Sequence, residues 1–208
     1  MKNLKNTLGK LATLGFIFGI LSTSVGCSSP SSPTPMPATS CNNVNTDFQQ
    51  IYTNTLASNI LYDNYLTMDL VTHEYTFKVN TNRTVCSIGY QGNANLYAGS
   101  IPYTIEIYDV TTSMPVYTGN HIFNSAYTDY VSITPTPLNT TDTYKIRRIA
   151  SNYLGNIGNT IGRICRFNSG PVPYPVNNGD LKILASNFYG TGGPVPNYGI
   201  PYIDIVFQ

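Results

Sequence analysis

The sequence predicts an antiparallel β-sandwich, of the jelly-roll or immunoglobulin-like type, on two observations. Short runs of alternating apolar and polar residues recur at intervals of roughly 10 to 20 residues, separated by Gly, Pro, Asn and Asp. The 208-residue chain also contains 17 Tyr, no Trp and only 10% charged residues. Tyr and Thr favour pleated surfaces, whereas Asn, Gly and Pro favour turns. The composition is therefore typical of an extracellular all-β protein.

The first clear strand lies in "LVTHEYTFKVNTN", where an apolar phase runs from Val71 through His73 to Val79. This period of two predicts a half-buried strand whose polar phase, including Glu74, faces solvent. The run "TVCSIGYQG" follows an Asn-rich turn, and we predict that it pairs with the first strand. Further strands are predicted in "IPYTIEIYDV", "TDYVSITP", "TDTYKIRRIA", "DLKILASNFYG" and "PYIDIVFQ".

Residues 42–208 are enough for one domain with a real core and too few for two. Near its start, residues 43–61 contain Phe48, Ile51 and Tyr52, a spacing typical of one short helix, although the first strands could equally begin here. Near its end, "GPVPYPV" and "GPVPNYG" echo each other. Because Pro lacks the ladder donor, we predict that both are loops or strand edges.

The first 26 residues have the plan of a secretory signal peptide. Residues 1–10 contain three lysines and no acidic residue, and residues 11–25 are largely apolar. This apolar run is shorter than the roughly 20 residues that a membrane-spanning helix needs. We therefore expect residues 1–26 to be removed rather than to remain as a transmembrane segment.

The apolar run ends in "SVGC" at residues 24–27, which resembles the lipobox of bacterial lipoproteins, although Ser24 stands where that family usually has Leu. The resemblance implies cleavage before Cys27 and a lipid anchor on its sulfur. The alternative is an ordinary secreted protein with a plain thiol at this position. Several acyl chains, at about 0.8 kcal/mol per buried methylene, would hold the protein to a membrane. The Ser/Pro-rich residues 27–41 would then be a tether at the bacterial cell envelope, at the outer membrane or cell surface.

The order of the strand motifs in residues 71–208 resembles a group of bacterial extracellular β-sandwich domains of unknown function. The motifs are "YTFKV", the Tyr-Asp that follows the strand "YTIEI", and the closing "YIDIVF". Domains of this group occur on surface and secreted proteins, often beside fibronectin-type or carbohydrate-active domains. Ile88 and the lack of Trp depart from the group's pattern. The group has no established catalytic residues, so the resemblance implies none here.

The charge and the cysteines limit the possible partners. Without the three signal lysines, about 8 basic residues face 10 acidic ones, so we expect no nucleic-acid partner. With two histidines and no Cys-x-x-Cys, we expect no metal and no cofactor. Cys41, Cys86 and Cys165 remain in the mature chain, so at most one internal pair forms. We favour Cys86 with Cys165, because both lie in strand-like runs; Cys41 could replace either.

The candidate catalytic residues are few. Glycoside hydrolysis needs two facing carboxylates, for which Glu74 and Glu106 are available, but both lie in polar strand phases where solvated residues are expected. His73 shares an apolar phase, which favours a core histidine over a catalytic base. His121 follows Gly-Asn and is expected to be exposed in a turn. We therefore predict that the protein is not an enzyme.

Binding is the activity that the sequence favours. Tyrosine offers a flat apolar ring and a hydroxyl, which suits contacts with sugars or with a protein partner. We place the candidate site in the loops of residues 170–202, with Tyr174, Tyr189 and Tyr198 as binding aromatics. The prediction is a surface-displayed, non-catalytic module for a glycan or an envelope protein. The alternatives are an inert structural or assembly lipoprotein, which would expose no aromatic cluster, and a glycoside hydrolase.

Overall fold

The computed structural model describes residues 40–66, 70–150, 162–190 and 193–208. The predicted signal peptide, the lipidation site Cys27 and nearly all of the tether lie outside these residues. The described residues form two helices and thirteen strands, and all of the sheets are antiparallel, which confirms the all-β prediction.

The elements follow one another along the chain with short connections. In order they are α1 (Asp47–Ser58), β1 (Tyr62–Leu66), β2 (Thr72–Val79), β3 (Arg83–Tyr90), α2 (Ala94–Ala98), β4 (Tyr103–Asp109), β5 (Met114–His121), β6 (Asp129–Leu138), β7 (Tyr144–Ile149), β8 (Arg163–Phe167), β9 (Val176–Asn178), β10 (Leu181–Gly190), β11 (Gly193–Pro196), β12 (Gly199–Pro201) and β13 (Asp204–Phe207).

Three sheets pack around one hydrophobic core and make the fold a β-sandwich. The largest sheet has the order β11-β10-β2-β7-β4-β5, and β9 also pairs with β10. The two smaller sheets have the orders β1-β8-β12 and β13-β3-β6. Tyr75 and Ile107 of the largest sheet share the core with Ile200 and Ile205 of the smaller ones. The Tyr75 hydroxyl also donates to the carbonyl of Ile203 at 2.8 Å, which joins the largest sheet to the chain between β12 and β13.

The predicted pairing of β2 with β3 is wrong. β2 pairs with β10 and β7, whereas β3 pairs with β13 and β6 in another sheet. The Asn-rich link between them bends from one sheet to the other and is held by the turn before β10. Asn80 donates its backbone N–H to the Asp180 carbonyl at 2.9 Å, and the Thr81 hydroxyl donates to the Asp180 carboxylate at 2.8 Å. Alternation predicts which residues share a face but not which strand lies alongside.

Of the two alternatives left open for residues 43–61, a short helix or a first strand, the structure has the helix, α1. Thr46 caps its first turn, because its hydroxyl accepts the backbone N–H of Gln49 at 3.0 Å. Phe48, Ile51 and Tyr52 are buried on one side of the helix, as their spacing predicts. The helix therefore contributes to the sandwich core rather than lying outside it.

A buried carboxylate fastens α1 to β13. Asp204 is fully buried and accepts hydrogen bonds from Thr46 at 2.7 Å, Gln49 at 3.0 Å and Tyr130 at 2.7 Å. Thr46 and Gln49 belong to the first turn of the helix, whereas Tyr130 lies on β6. One side chain thus connects the helix with two strands of a smaller sheet.

The predicted Cys86–Cys165 disulfide is also wrong. Cys41 and Cys86 form the disulfide, with an S–S distance of 2.01 Å and Cα atoms 5.9 Å apart. Cys165 is free and fully buried in the core, where its strand neighbours are Asn64 on β1 and Ile200 on β12. Cys86 lies on β3 of a different sheet and bonds to Cys41, which lies just before α1 in the sequence.

The late Pro-rich segments behave largely as predicted, while several other elements escape prediction. The second segment forms β11, an edge strand of the largest sheet, and the first leads into the short β9. The missed elements include β1, β5 and α2. Strand β5 is another edge strand whose residues are exposed or half-buried, so it carries little apolar signal. Helix α2 is only 5 residues long and depends on its cap, Asn93.

Candidate functional site

An open groove lies between β8 and β11, partly within residues 170–202, the loop region that the sequence favoured for binding. Its volume is about 460 Å³, which falls in the range of roughly 300 to 1,000 Å³ typical of small-ligand sites. We call it the β8–β11 groove. It is lined by Arg166, Phe167, Asn168, Gly170, Pro171, Val195, Pro196 and Tyr198.

Arg166 is held at one side of the groove by three neighbours. Its Nε and Nη2 donate to the two carboxylate oxygens of Asp63, at 3.1 and 2.6 Å. Its guanidinium carbon lies 4.0 Å from the ring centroid of Tyr65, and its Nη1 donates to the Tyr198 hydroxyl at 3.2 Å. The hydrogen bonds from Arg166 lower the pKa of Asp63, so this carboxyl is ionised at neutral pH.

The strands explain why these side chains meet. Asp63 and Arg166 are direct partners across β1 and β8, and Tyr65 lies on the same face as Asp63, two residues further along β1. Tyr65 and Tyr198 are 40% and 37% exposed, and Val195, which lines the groove with Tyr198, is 43% exposed. Aromatic and aliphatic surface is therefore open to solvent next to an ion pair.

The turn that carries Tyr198 is held in place by hydrogen bonds from neighbouring segments. The Gly199 carbonyl accepts the hydroxyls of Ser186 at 2.6 Å and Tyr174 at 3.1 Å. Asn197 has a φ of 57°, a conformation that Asn tolerates, and its backbone N–H donates to the Ser186 carbonyl at 2.8 Å. The Tyr198 ring also meets the Phe188 ring edge-on, with centroids 6.0 Å apart. Tyr198 is thus presented by a well-supported turn.

The three predicted binding aromatics separate into different roles. Tyr198 lines the β8–β11 groove. Tyr174 is half-buried, packs against the core and supports the turn through Gly199. Tyr189 lies on the outer face of the largest sheet, where its hydroxyl donates to Glu74 at 3.0 Å. Only one of the three therefore contributes a ring to the groove.

Sequence reasoning missed Asp63, Tyr65 and Arg166. Asp63 and Tyr65 lie just after residues 43–61, in a stretch to which no element was assigned, and Arg166 was paired with Arg163 as part of a solvated strand face or loop end. The run "YDNYL" does not alternate between apolar and polar residues, and its two tyrosines are only a weak signal for β1. The contact itself joins residues 103 positions apart, which a single sequence does not reveal.

Glu74 and Glu106, the candidate hydrolase carboxylates, are bridged by one arginine. Arg147 donates through Nε to Glu74 at 2.8 Å and through Nη1 to Glu106 at 2.9 Å. Burial alone would lower the pKa of Arg147, but the hydrogen bonds with Glu106 and Glu74 outweigh it and raise the pKa. Contrary to the prediction that it is solvated, the Glu74 side chain is only 1% exposed and also pairs with Lys145. Its carboxylate stabilises the sheet instead of facing an open cleft.

The two histidines also have structural surroundings. His73 is fully buried, as predicted, and burial together with Arg148 lowers its pKa well below the ordinary value. His121 is not in an exposed turn, as predicted, but is the half-buried last residue of β5 beside the Tyr117 hydroxyl. Burial lowers its pKa as well. In the described ranges no three His, Cys, Asp or Glu side chains group together as a metal site.

Comparison with known proteins gives no match: no protein-family model fits the chain, and no curated protein is significantly similar to it. The resemblances to lipoproteins and to extracellular bacterial domains therefore remain predictions from the sequence. Among the described residues, no helix is long and apolar enough to cross a bilayer. The β8–β11 groove is therefore the feature of this chain that bears on its function.

Proposed function

We propose that the protein is a non-catalytic glycan-binding module that a lipid on Cys27 holds at the bacterial cell envelope. The observation that supports binding is that Arg166 and the exposed Tyr198 line the β8–β11 groove, with Tyr65 and Asp63 in contact with Arg166. Aromatic rings pack well against the apolar C–H faces of sugars, and an ion pair offers both donors and acceptors to hydroxyl groups. An inert envelope component has no need of such a cluster.

The proposed glycan binding is tested by removing the aromatic ring of Tyr198. The full chain, kept in a detergent without a sugar headgroup, is screened on a glycan array and then titrated with the best ligand. Tyr198→Ala should weaken binding by about tenfold, or about 1.4 kcal/mol, because the ring would no longer stack on the sugar. Tyr127→Ala is the matched control, since Tyr127 is 58% exposed and does not line the groove.

Other results of this screen would identify the alternatives. A silent array, combined with Tyr198-dependent capture of an envelope protein, would replace the glycan with a protein partner. A chain that binds neither would be the inert structural or assembly lipoprotein. Turnover of an arrayed glycan would indicate a hydrolase and contradict the non-catalytic assignment.

The anchor is tested separately from binding. Cells fed radioactive palmitate should label the wild-type chain and should not label Cys27→Ser. Mass spectrometry of the mature N-terminus should find Cys27 as the first residue, with acyl chains on its sulfur. A released chain with an unmodified thiol at this position would contradict the anchor while leaving the groove assignment intact.

A further inference from the structure

The β8–β11 groove is nearly free of charge. Among the described residues that line it, Arg166 is the only charged one; the others are aromatic, aliphatic, proline, glycine or asparagine. Whether the groove accepts an anionic ligand therefore depends on whether Arg166 is free to bind one. The contacts that Arg166 already makes decide this.

Asp63 already occupies the part of Arg166 that recognises anions. Arginine binds carboxylate and phosphate through a fork of two parallel N–H groups. In Arg166 this fork, Nε and Nη2, is taken by both oxygens of Asp63, and Nη1 reaches the Tyr198 hydroxyl. An acidic ligand would have to displace Asp63 or use the N–H groups that remain on Nη1 and Nη2, and in either case it would lie beside the negative charge of Asp63, which disfavours binding.

A neutral sugar meets no such obstacle. A guanidinium has five N–H donors, so Arg166 keeps two for ligand hydroxyls after its three hydrogen bonds to Asp63 and Tyr198. The Asp63 carboxylate keeps lone pairs that can accept sugar hydroxyls, and its side chain is 37% exposed. The exposed surfaces of Tyr198 and Val195 suit the C–H faces of the ring.

We infer that the β8–β11 groove selects neutral oligosaccharides over acidic ones and that Asp63 sets this selectivity by occupying the Arg166 fork. This inference rests on the proposed glycan-binding function. It goes further by naming the ligand class and the residue that excludes the other class. It also gives the Asp63–Arg166 pair a role in specificity rather than in stability.

The test compares matched ligands that differ only in charge. The full chain is titrated, at low and at high salt, with neutral oligosaccharides and with the corresponding oligomers that carry uronic acids. The wild type should bind the neutral series with little salt dependence and the acidic series about tenfold more weakly, a difference of about 1.4 kcal/mol.

A single substitution should alter the preference. Asp63→Asn releases Arg166 and should strengthen binding of the acidic series by about tenfold, with a new dependence on salt. Asp63→Asn combined with Arg166→Gln should lose this gain, because the cation is gone. Asp180→Asn is the matched control, because it also removes one negative charge and frees an arginine. Asp180 pairs with Arg83 at 3.0 Å, and neither residue lines the groove. Thermal unfolding of each variant verifies that it is folded.

The outcomes separate the inference from the proposed function. A wild-type preference for acidic ligands, or an Asp63→Asn variant that is folded but keeps the wild-type preference, would overturn the inference and leave glycan binding standing. An equal gain in Asp180→Asn would overturn the inference too, because the loss of any one negative charge, and not the release of Arg166, would then explain the stronger binding of acidic ligands. Binding of neither series would contradict the proposed function itself.

Discussion

Glu74 lies on the outer face of the largest sheet, where alternation predicts a solvated side chain. Its carboxylate instead bonds to Lys145 at 3.0 Å, Arg147 at 2.8 Å and Tyr189 at 3.0 Å, and these longer side chains cover it. Glu106 on β4 shares Arg147 but keeps a side chain that is 19% exposed. Two glutamates on one face therefore differ in how much the fold depends on them.

Replacing these glutamates should reveal that difference. Glu74→Gln removes the charge on which two cations converge and should lower the free energy of unfolding by roughly 2 kcal/mol. Glu106→Gln, the matched control, should cost less than about 1 kcal/mol. It weakens a single ion pair with Arg147, which is partly exposed to solvent and also pairs with Glu74. Urea unfolding of both variants at neutral pH makes the comparison. Equal losses would mean that the burial of Glu74 adds nothing to the strength of its bonds.

At the scale of single elements, the attachment of α1 to the sandwich depends on Asp204, an ionisable residue on β13. Burial raises the pKa of Asp204 above its ordinary value of 3.8, and Asp47 adds to the rise. The hydrogen bonds from Tyr130, Thr46 and Gln49 oppose the rise but do not cancel it. In the folded protein the carboxyl therefore keeps its proton to a higher pH than in the unfolded chain.

This difference predicts how the helix attachment responds to pH. Because the folded-state pKa is raised, the contribution of Asp204 is fully present at low pH and decreases as the pH rises from about 3.8 through the raised value. Asp204→Asn cannot titrate, and it should cost about 1 to 3 kcal/mol through an unpaired donor. Urea unfolding should therefore show a larger cost just above pH 3.8 than at neutral pH. A cost that grows toward neutral pH would reverse the assigned direction.

Elements whose formation depends on residues close together in the sequence could be predicted, whereas features that depend on distant segments could not. The spacing of Phe48, Ile51 and Tyr52 predicted α1, and the alternation around Tyr75 predicted β2, because each pattern reports the face that one segment buries. The partners of β3 were not predicted, because pairing depends on the path of the short link that Asn80 begins. The groove was predicted only as a loop region, since Arg166 and its partner Asp63 come from β8 and β1, outside the predicted loops.

At the scale of the whole molecule, the Cys41–Cys86 disulfide closes a loop that contains α1, β1 and β2. The two cysteines are 45 positions apart in the sequence, so the bond removes considerable freedom from the unfolded chain. The free Cys165 is buried, and burial raises its pKa to about 12. A thiol of this kind is a poor nucleophile at neutral pH, so disulfide exchange from Cys165 is disfavoured.

Breaking the disulfide should destabilise the fold as a whole. The variant with Cys41→Ser and Cys86→Ser should lose about 3 kcal/mol of unfolding free energy, as measured by urea unfolding under oxidising conditions. Reduced wild type should lose a similar amount, whereas the double variant should not respond to reductant, because its remaining described cysteine is unpaired. Equal stability of the oxidised wild type and the double variant would contradict a stabilising role.

The position of this disulfide also determines how a pull on the upstream chain is carried. Tension arriving at Cys41 passes through the sulfur bridge into β3, the middle strand of its sheet. Helix α1 and strand β1 lie inside the covalent loop, so the load bypasses them. Asp63 and Tyr65 belong to β1 and are shielded in the same way. Under the proposed anchor on Cys27, a pull on the tether would therefore leave Asp63 and Tyr65 outside the covalent path of the load.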